Sequence, residues 1–194
     1  RNFLPGMTLV WCLLAGMAQA QPQPIRVAVL ENAPPLGYRD AEGNLTGLAI
    51  NIARALCAEI GERCEFEATR LESLIERLAA GYFDVAAIGL LNTPERSQKV
   101  LFTKPVYRSV TLWVSRPGIQ PGDLGARISI FRGSAHETFA KAQHWQVIGA
   151  QTEDEMIEQL AAGVAQGAIA PLMTSLSLQK RPVFQQLGLK VTVL

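Results

Sequence analysis

Two kinds of apolar segment alternate along this chain, and their alternation constrains the fold more than any other feature. Residues 25–30 (IRVAVL) are almost continuously apolar, which is typical of a strand buried on both faces of a sheet. Residues 49–60 instead place apolar side chains along one helical face. Strands alternating with helices at this spacing predict parallel βαβ units and the α/β class. Further strands are predicted from Cys64 and at 84–90, 107–114, 127–131, 168–172 and 189–193, and further helices at 71–78, from Thr93, at 137–143 and at 152–160.

The pattern restarts after residues 115–118 (SRPG). It therefore predicts two similar α/β lobes, residues 21–114 and residues 115–194. Two lobes joined at a strand-like crossing suggest a cleft between them, and ligands often bind in such clefts.

The first 20 residues resemble a secretory signal peptide. The apolar run Met7–Met17 stops at Ala18-Gln19-Ala20, a small-x-small cleavage pattern, and is too short to span a bilayer. Because Trp11 and not a small residue precedes Cys12, a lipoprotein signal is disfavoured. We expect cleavage after Ala20, export to the periplasm and no stable membrane insertion afterwards. The alternative is a buried helix of a cytosolic domain.

Removing the signal leaves two cysteines, Cys57 and Cys64. Cys57 lies on the apolar face of the helix that ends near Gly61, and Cys64 opens the next apolar stretch. An oxidising compartment would let this pair form a disulfide between helix and strand. Two separate buried thiols are the alternative. A zinc site fits worse, because the only histidines, His136 and His144, are distant in sequence.

The charge balance and the absence of several known motifs argue against other classes of function. Lysine and arginine number 18 against 17 acidic residues, a balance that does not suggest a nucleic-acid-binding surface. The sequence carries no nucleotide-binding glycine motif, no zinc-protease motif and no nucleophile elbow, so we predict no cofactor, no metal and no catalytic residue. His136-Glu137 and His144 could be imagined as an acid/base pair, although polar residues on a short helix more often form a solvated face.

Two strand-to-helix turns are better candidates for binding an anion. Thr93-Pro94-Glu95 predicts a helix start, where Arg96 could present a bidentate guanidinium to a carboxylate. In the second lobe, Arg132-Gly133-Ser134 forms an equivalent turn whose glycine lets the backbone approach an oxyanion. The alternative for Arg96 is a surface ion pair. Because the two turns occupy equivalent positions in the two halves, each prediction of an anion site supports the other.

At these residues the sequence resembles the family-3 periplasmic solute-binding proteins, in particular those for histidine and for lysine, arginine and ornithine. The resemblance covers residues 25 to about 185 and is most specific from Gly81 to Tyr107 (GYFDVAAIGLLNTPERSQKVLFTKPVY). It implies a two-lobed, type II venus-flytrap fold that closes on its ligand, a similar cysteine pair and an inner-membrane ABC permease as partner. It also implies that Arg96 grips the α-carboxylate of an amino-acid-like ligand, with Gly89, Gly133 and Ser134 in the site.

This chain departs from the family pattern at several ligand positions. Leu91 stands where the family usually places a carboxylate-binding Thr or Ser, two residues before Thr93. Ala33 replaces a stacking aromatic, for which Tyr38 could substitute. Pro171 aligns near the acid that holds the ligand's ammonium group, although Glu31 could supply that charge. Because an uncompensated cation in a closed cleft is costly, these changes favour a simple carboxylate or other anion over a zwitterion.

The family returns to the first lobe after the second, and this sequence ends about where that return should begin. We therefore expect the C-terminal part of the first lobe to be missing. Our first hypothesis is a periplasmic solute-binding protein for an ABC transporter. The alternatives are a sensing domain of a signalling receptor, a cyclohexadienyl-dehydratase-like enzyme, or a degenerate lobe that binds nothing. Some related domains also accompany lytic transglycosylases.

Overall fold

The computed structural model describes residues 23–194, so the predicted signal peptide lies outside the described residues. Strands and helices alternate as the apolar pattern predicts. The strands are β1 (Ile25–Val29), β2 (Asn32–Ala33), β3 (Gly37–Arg39), β4 (Leu45–Thr46), β5 (Cys64–Ala68), β6 (Val85–Ala86), β7 (Thr111–Ser115), β8 (Arg127–Phe131), β9 (Gln146–Ala150), β10 (Gly167–Pro171) and β11 (Lys190–Val193). The helices are α1 (Leu48–Glu59), α2 (Leu71–Ala79), α3 (Pro94–Ser97), α4 (Ala135–Ala142), α5 (Glu153–Ala161), α6 (Leu172–Gln179) and α7 (Pro182–Gln186).

The first sheet is parallel, with strand order β5-β1-β6. Its central strand is covered on both faces, because successive side chains of a strand point in opposite directions. Val27 and Val29 pack with Ile50 of α1, whereas Ala28 packs with Leu74 of α2. The prediction of a doubly buried strand at residues 25–30 is thus confirmed. A small antiparallel sheet, β2-β3-β4, follows β1 in the chain.

The second sheet has five strands in the order β11-β7-β10-β8-β9. Strands β8, β9 and β10 are parallel, and β7 is antiparallel to both β10 and β11. Residues of α5, α6 and α7 pack on one face, and Ala140 of α4 packs on the other. The predicted division at residues 114 and 115 falls within β7, which pairs only inside this sheet among the described residues. The position of the boundary between the two lobes stays a prediction.

Several predicted elements differ from the structure. In the run 84–90 only Val85–Ala86 is a strand, and Gly89, with φ +74°, leaves the extended conformation soon after it. The run 107–114 becomes a strand only at Thr111. The pattern did not predict the short strands β2, β3 and β4, or the elements β9, α6 and α7, and in α6 and α7 polar residues break up the apolar signal. Helix α6, for example, buries Thr174 and Ser175 among its apolar residues.

The disulfide prediction is confirmed. Cys57 and Cys64 are bonded, with their Cα atoms 6.2 Å apart, so the bridge joins the last turn of α1 to the first residue of β5. Among residues 23–194, every helix falls short of the length and apolar character needed to cross a bilayer.

Candidate functional site

A cavity of about 520 Å³ opens where the two sheets face each other. Its walls come from segments that follow strands β1 and β5 of the first sheet and β8 and β9 of the second. Ligands of open α/β sheets bind outside the carboxyl ends of the parallel strands, and this cavity lies at those ends in both sheets. Its lining residues are Leu30–Ala33, Ala68–Ser73, Arg77, Phe131, Arg132 and Ala150–Thr152.

Arg96 links the two halves of the molecule beside this cavity. Thr93 caps α3, since its Oγ1 accepts a hydrogen bond from the Arg96 amide at 3.3 Å. The Arg96 guanidinium donates from Nη1 to the Leu91 carbonyl at 3.0 Å and from Nη2 to the Gly133 carbonyl at 2.9 Å. The two turns predicted as anion sites are thus in direct contact, although 37 residues separate Arg96 from Gly133.

Burial lowers the pKa of Arg96 from its usual value, because the charged guanidinium loses part of its hydration. Its hydrogen bonds to the two carbonyls stabilise the side chain without neutralising its charge. An anion placed here would therefore meet a half-buried cation whose remaining N–H groups can donate.

The backbone of Gly133 packs closely against the other half of the molecule. A Cβ atom at Gly133 would lie 2.4 Å from the Cα of Glu72, and the glycine has φ +72°. Its amide donates to Glu137 Oε2 at 2.7 Å, and Ser134 caps α4 by accepting from the Glu137 amide at 3.1 Å. In this structure these predicted ligand-binding groups hold the start of α4 in place.

His136 takes no part in a pair with Glu137 or His144. Its Nε2 lies 2.9 Å from Thr111 Oγ1, at the first residue of β7. Burial, and to a lesser extent the Arg96 charge, lower the pKa of His136, so the ring stays neutral near pH 7. The ring ties the start of α4 to the antiparallel strand of the second sheet.

The remaining predicted residues divide between the cavity wall and its surroundings. Glu31 and Ala33 line the cavity, and the Glu31 carboxylate accepts from Arg39 Nε at 2.7 Å. Tyr38 lies in β3, outside the lining residues. Pro171 ends β10 and likewise does not line the cavity.

Gly89 and Leu91 follow β6 on the segment that leads to Arg96. A Cβ atom at Gly89 would lie 2.4 Å from the Tyr107 hydroxyl, so the residue is fixed by close packing. Leu91 contributes its backbone carbonyl to Arg96, and its side chain is 46% exposed. The lost Thr or Ser hydroxyl is therefore replaced by an apolar side chain near solvent.

Sequence reasoning missed the lining residues that follow β5 and β9. Thr69 and Arg70 come directly after β5, and Gln151 and Thr152 come directly after β9. Applying the strand-end rule to β5 would have found the first pair. The second pair could not be placed without recognising β9. No group of three or more potential metal ligands occurs within residues 23–194.

Comparison with known proteins agrees with this geometry. The family model described as bacterial extracellular solute-binding proteins, family 3, matches residues 25–166. The chain belongs to this family. The histidine-binding periplasmic protein of Salmonella typhimurium is 30% identical over 154 residues, which cover 74% of this chain and 59% of that protein. The chain thus spans 59% of the length of that relative.

Solved structures confirm the two-lobed α/β fold. An ancestral arginine-binding protein bound to glutamine superposes with a TM-score of 0.76 at 26% identity, over 87% of this chain and 77% of that one. A membrane-bound lytic murein transglycosylase F of Maricaulis maris is 39% identical over 119 residues, which cover 58% of this chain but 24% of that protein. The family-3 domain therefore also occurs as one part of a larger protein.

Proposed function

We infer that this family-3 protein is exported to the periplasm, captures a small carboxylate or amino-acid-like solute between its lobes and presents it to an inner-membrane ABC permease. The observation that carries this proposal is the contact of Arg96 in the first lobe with Gly133 in the second, beside a cavity of about 520 Å³. A volume of this order accommodates a small organic solute.

The contact suggests how binding and closure are coupled. Arg96 supplies a charged donor from one lobe, and the Gly133 turn meets it from the other. A carboxylate that accepts hydrogen bonds from Arg96 gains most when the lobes exclude water, because charge-assisted hydrogen bonds strengthen as the local dielectric falls. The solute would therefore stabilise the closed arrangement over open ones, which is the requirement for a hinge-closing receptor.

The test is calorimetric titration of the full chain and of Arg96→Gln with a panel of organic acids and amino acids. We expect Arg96→Gln to weaken binding of any carboxylate by about tenfold or more, since a hydrogen bond to a charged group is lost. Arg127→Gln is the matched control, because the Arg127 guanidinium also donates to a backbone carbonyl, that of Gly163, but within the second lobe. Undiminished affinity in Arg96→Gln would contradict the role of the guanidinium.

A second candidate is a solute-binding module within a larger cell-wall enzyme. It is favoured by the 39% identity to part of the Maricaulis maris transglycosylase. In both cases we propose that residues 23–194 bind a solute and do not catalyse a reaction. The intact mass of the protein purified from its source, together with its presence in the periplasmic or the membrane fraction, distinguishes the two candidates.

A further inference from the structure

Two arginines from opposite lobes line the same cavity, and each is only loosely paired with a carboxylate. Arg70 precedes α2 in the first lobe, and Arg132 follows β8 in the second. Their nearest carboxylates, Glu72 for Arg70 and Glu155 for Arg132, lie 3.8 Å away, beyond hydrogen-bond distance. Arg132 Nη2 also donates to the Gly149 carbonyl at 3.2 Å, but each guanidinium has five N–H donors and so keeps some for a ligand.

Two other charged groups of the lining, Glu31 and Arg77, are held more closely, whereas the fifth, Glu72, is the loose partner of Arg70. The Glu31 carboxylate is bonded to Arg39 at 2.7 Å. Arg77 donates to Thr69 Oγ1 at 2.9 Å and to Glu67 at 3.0 Å, and its guanidinium stacks over Phe83. The cavity wall thus carries three arginines against two glutamates, Glu31 and Glu72, a surplus of one positive charge.

Arg70 and Arg132 line one cavity from the two lobes, and their like charges repel. An anionic group between them would accept hydrogen bonds from both and convert this repulsion into attraction. The net positive charge of the cavity wall would therefore favour a solute with a negatively charged end group over one with a neutral or cationic end group.

We propose that the solute carries a second anionic group besides the carboxylate at Arg96, and that Arg70 and Arg132 bind it from the two lobes. The substrate class is then a dicarboxylate or an acidic amino acid. This inference rests on the proposed function, because it concerns the far end of the same solute. It contrasts with the histidine-binding and arginine-binding proteins to which this chain is similar.

The test compares glutamate with glutamine, which has nearly the same shape but a neutral end, by calorimetric titration of the full chain. Glutarate serves as a third probe that lacks the ammonium group. We expect glutamate to bind at least about tenfold more tightly than glutamine, from the loss of one charge-assisted interaction. Arg132→Gln and Arg70→Gln should each reduce that preference. Arg63→Gln is the control, since Arg63 carries the same charge outside the cavity lining and is 77% exposed.

The outcomes separate this inference from the function on which it rests. Glutamine or arginine binding as tightly as glutamate, with no change of preference in Arg132→Gln, would overturn the second anionic group and leave solute binding intact. Absence of binding for every amino acid and organic acid of the panel would overturn the proposed function and this inference with it.

Discussion

The buried carboxyl of Glu153 should make this protein less stable as the pH rises. Glu153 is 6% exposed at the first residue of α5, and Ser177 Oγ donates to its Oε2 at 2.7 Å. Its Oε1 has no hydrogen-bond partner among residues 23–194. Burial raises the pKa of Glu153 from 4.5 to about 7, although hydrogen bonds from Ser177 and Thr174 and the charge of Arg181 oppose the shift.

The direction of this pH dependence follows from how the folded and the unfolded chain bind a proton at Glu153. Between pH 4.5 and about pH 7 the folded protein keeps a proton on Glu153 that the unfolded chain has released. Stability is therefore highest below this window and falls as the pH rises through it. The two pKa values correspond to a loss of about 2.5 kcal/mol from this group between about pH 5 and about pH 8.

Glu153→Gln removes the charge at nearly constant shape. We expect the variant to match the wild type near pH 5 and to exceed its free energy of unfolding by about 2 to 3 kcal/mol near pH 8. The assay is urea-induced unfolding followed by circular dichroism at a series of pH values. Glu158→Gln on the exposed face of the same helix is the control and should be neutral throughout. A difference between Glu153→Gln and the wild type that stays constant with pH would refute the reasoning.

Three further predictions concern the contact between the two lobes, the disulfide and the core of the first lobe. Gly133→Ala should hinder closure of the lobes, because the new Cβ atom would meet the other lobe. The control is Gly163→Ala, which has a similar positive φ but open space around it and should cost only backbone strain of about 1 kcal/mol. We expect X-ray scattering to show a larger radius of gyration for Gly133→Ala alone. Replacing both Cys57 and Cys64 by serine should lower the free energy of unfolding by about 2 kcal/mol, which chemical denaturation without reductant would measure. Leu74→Ala, at a fully buried position, should cost about 2 to 5 kcal/mol in the same assay, and a neutral effect would contradict the assigned core of the first lobe.

Much of the architecture could be predicted because its signals are local. The run IRVAVL, the helical apolar face of residues 49–60 and the seven-residue spacing of Cys57 and Cys64 each lie within a short segment. The start of α3 could likewise be predicted from its capping residue, Thr93, and the proline that follows. These features follow from backbone periodicity and capping chemistry, which depend on neighbouring residues only.

The rest of the site depends on contacts between distant residues. The distance between Arg96 and Gly133 is set by the packing of two sheets, which no periodicity encodes. Likewise Glu31 was predicted as a free acid for a ligand's ammonium, whereas β3 brings Arg39 to it at 2.7 Å. The sequence could show which charged residues follow a strand, but it could not show which residue each charge contacts.

The pairing of the strands also bears on how the chain can form its structure during synthesis. Every pair in the first sheet joins residues between Ile25 and Ala86, and every pair in the second joins residues between Thr111 and Val193. The first of these sheets can therefore assemble while the ribosome is still translating the second, because domains generally fold as units beginning at the N-terminus. Only the later arrival of the Gly133 carbonyl gives Arg96 its partner across the cleft.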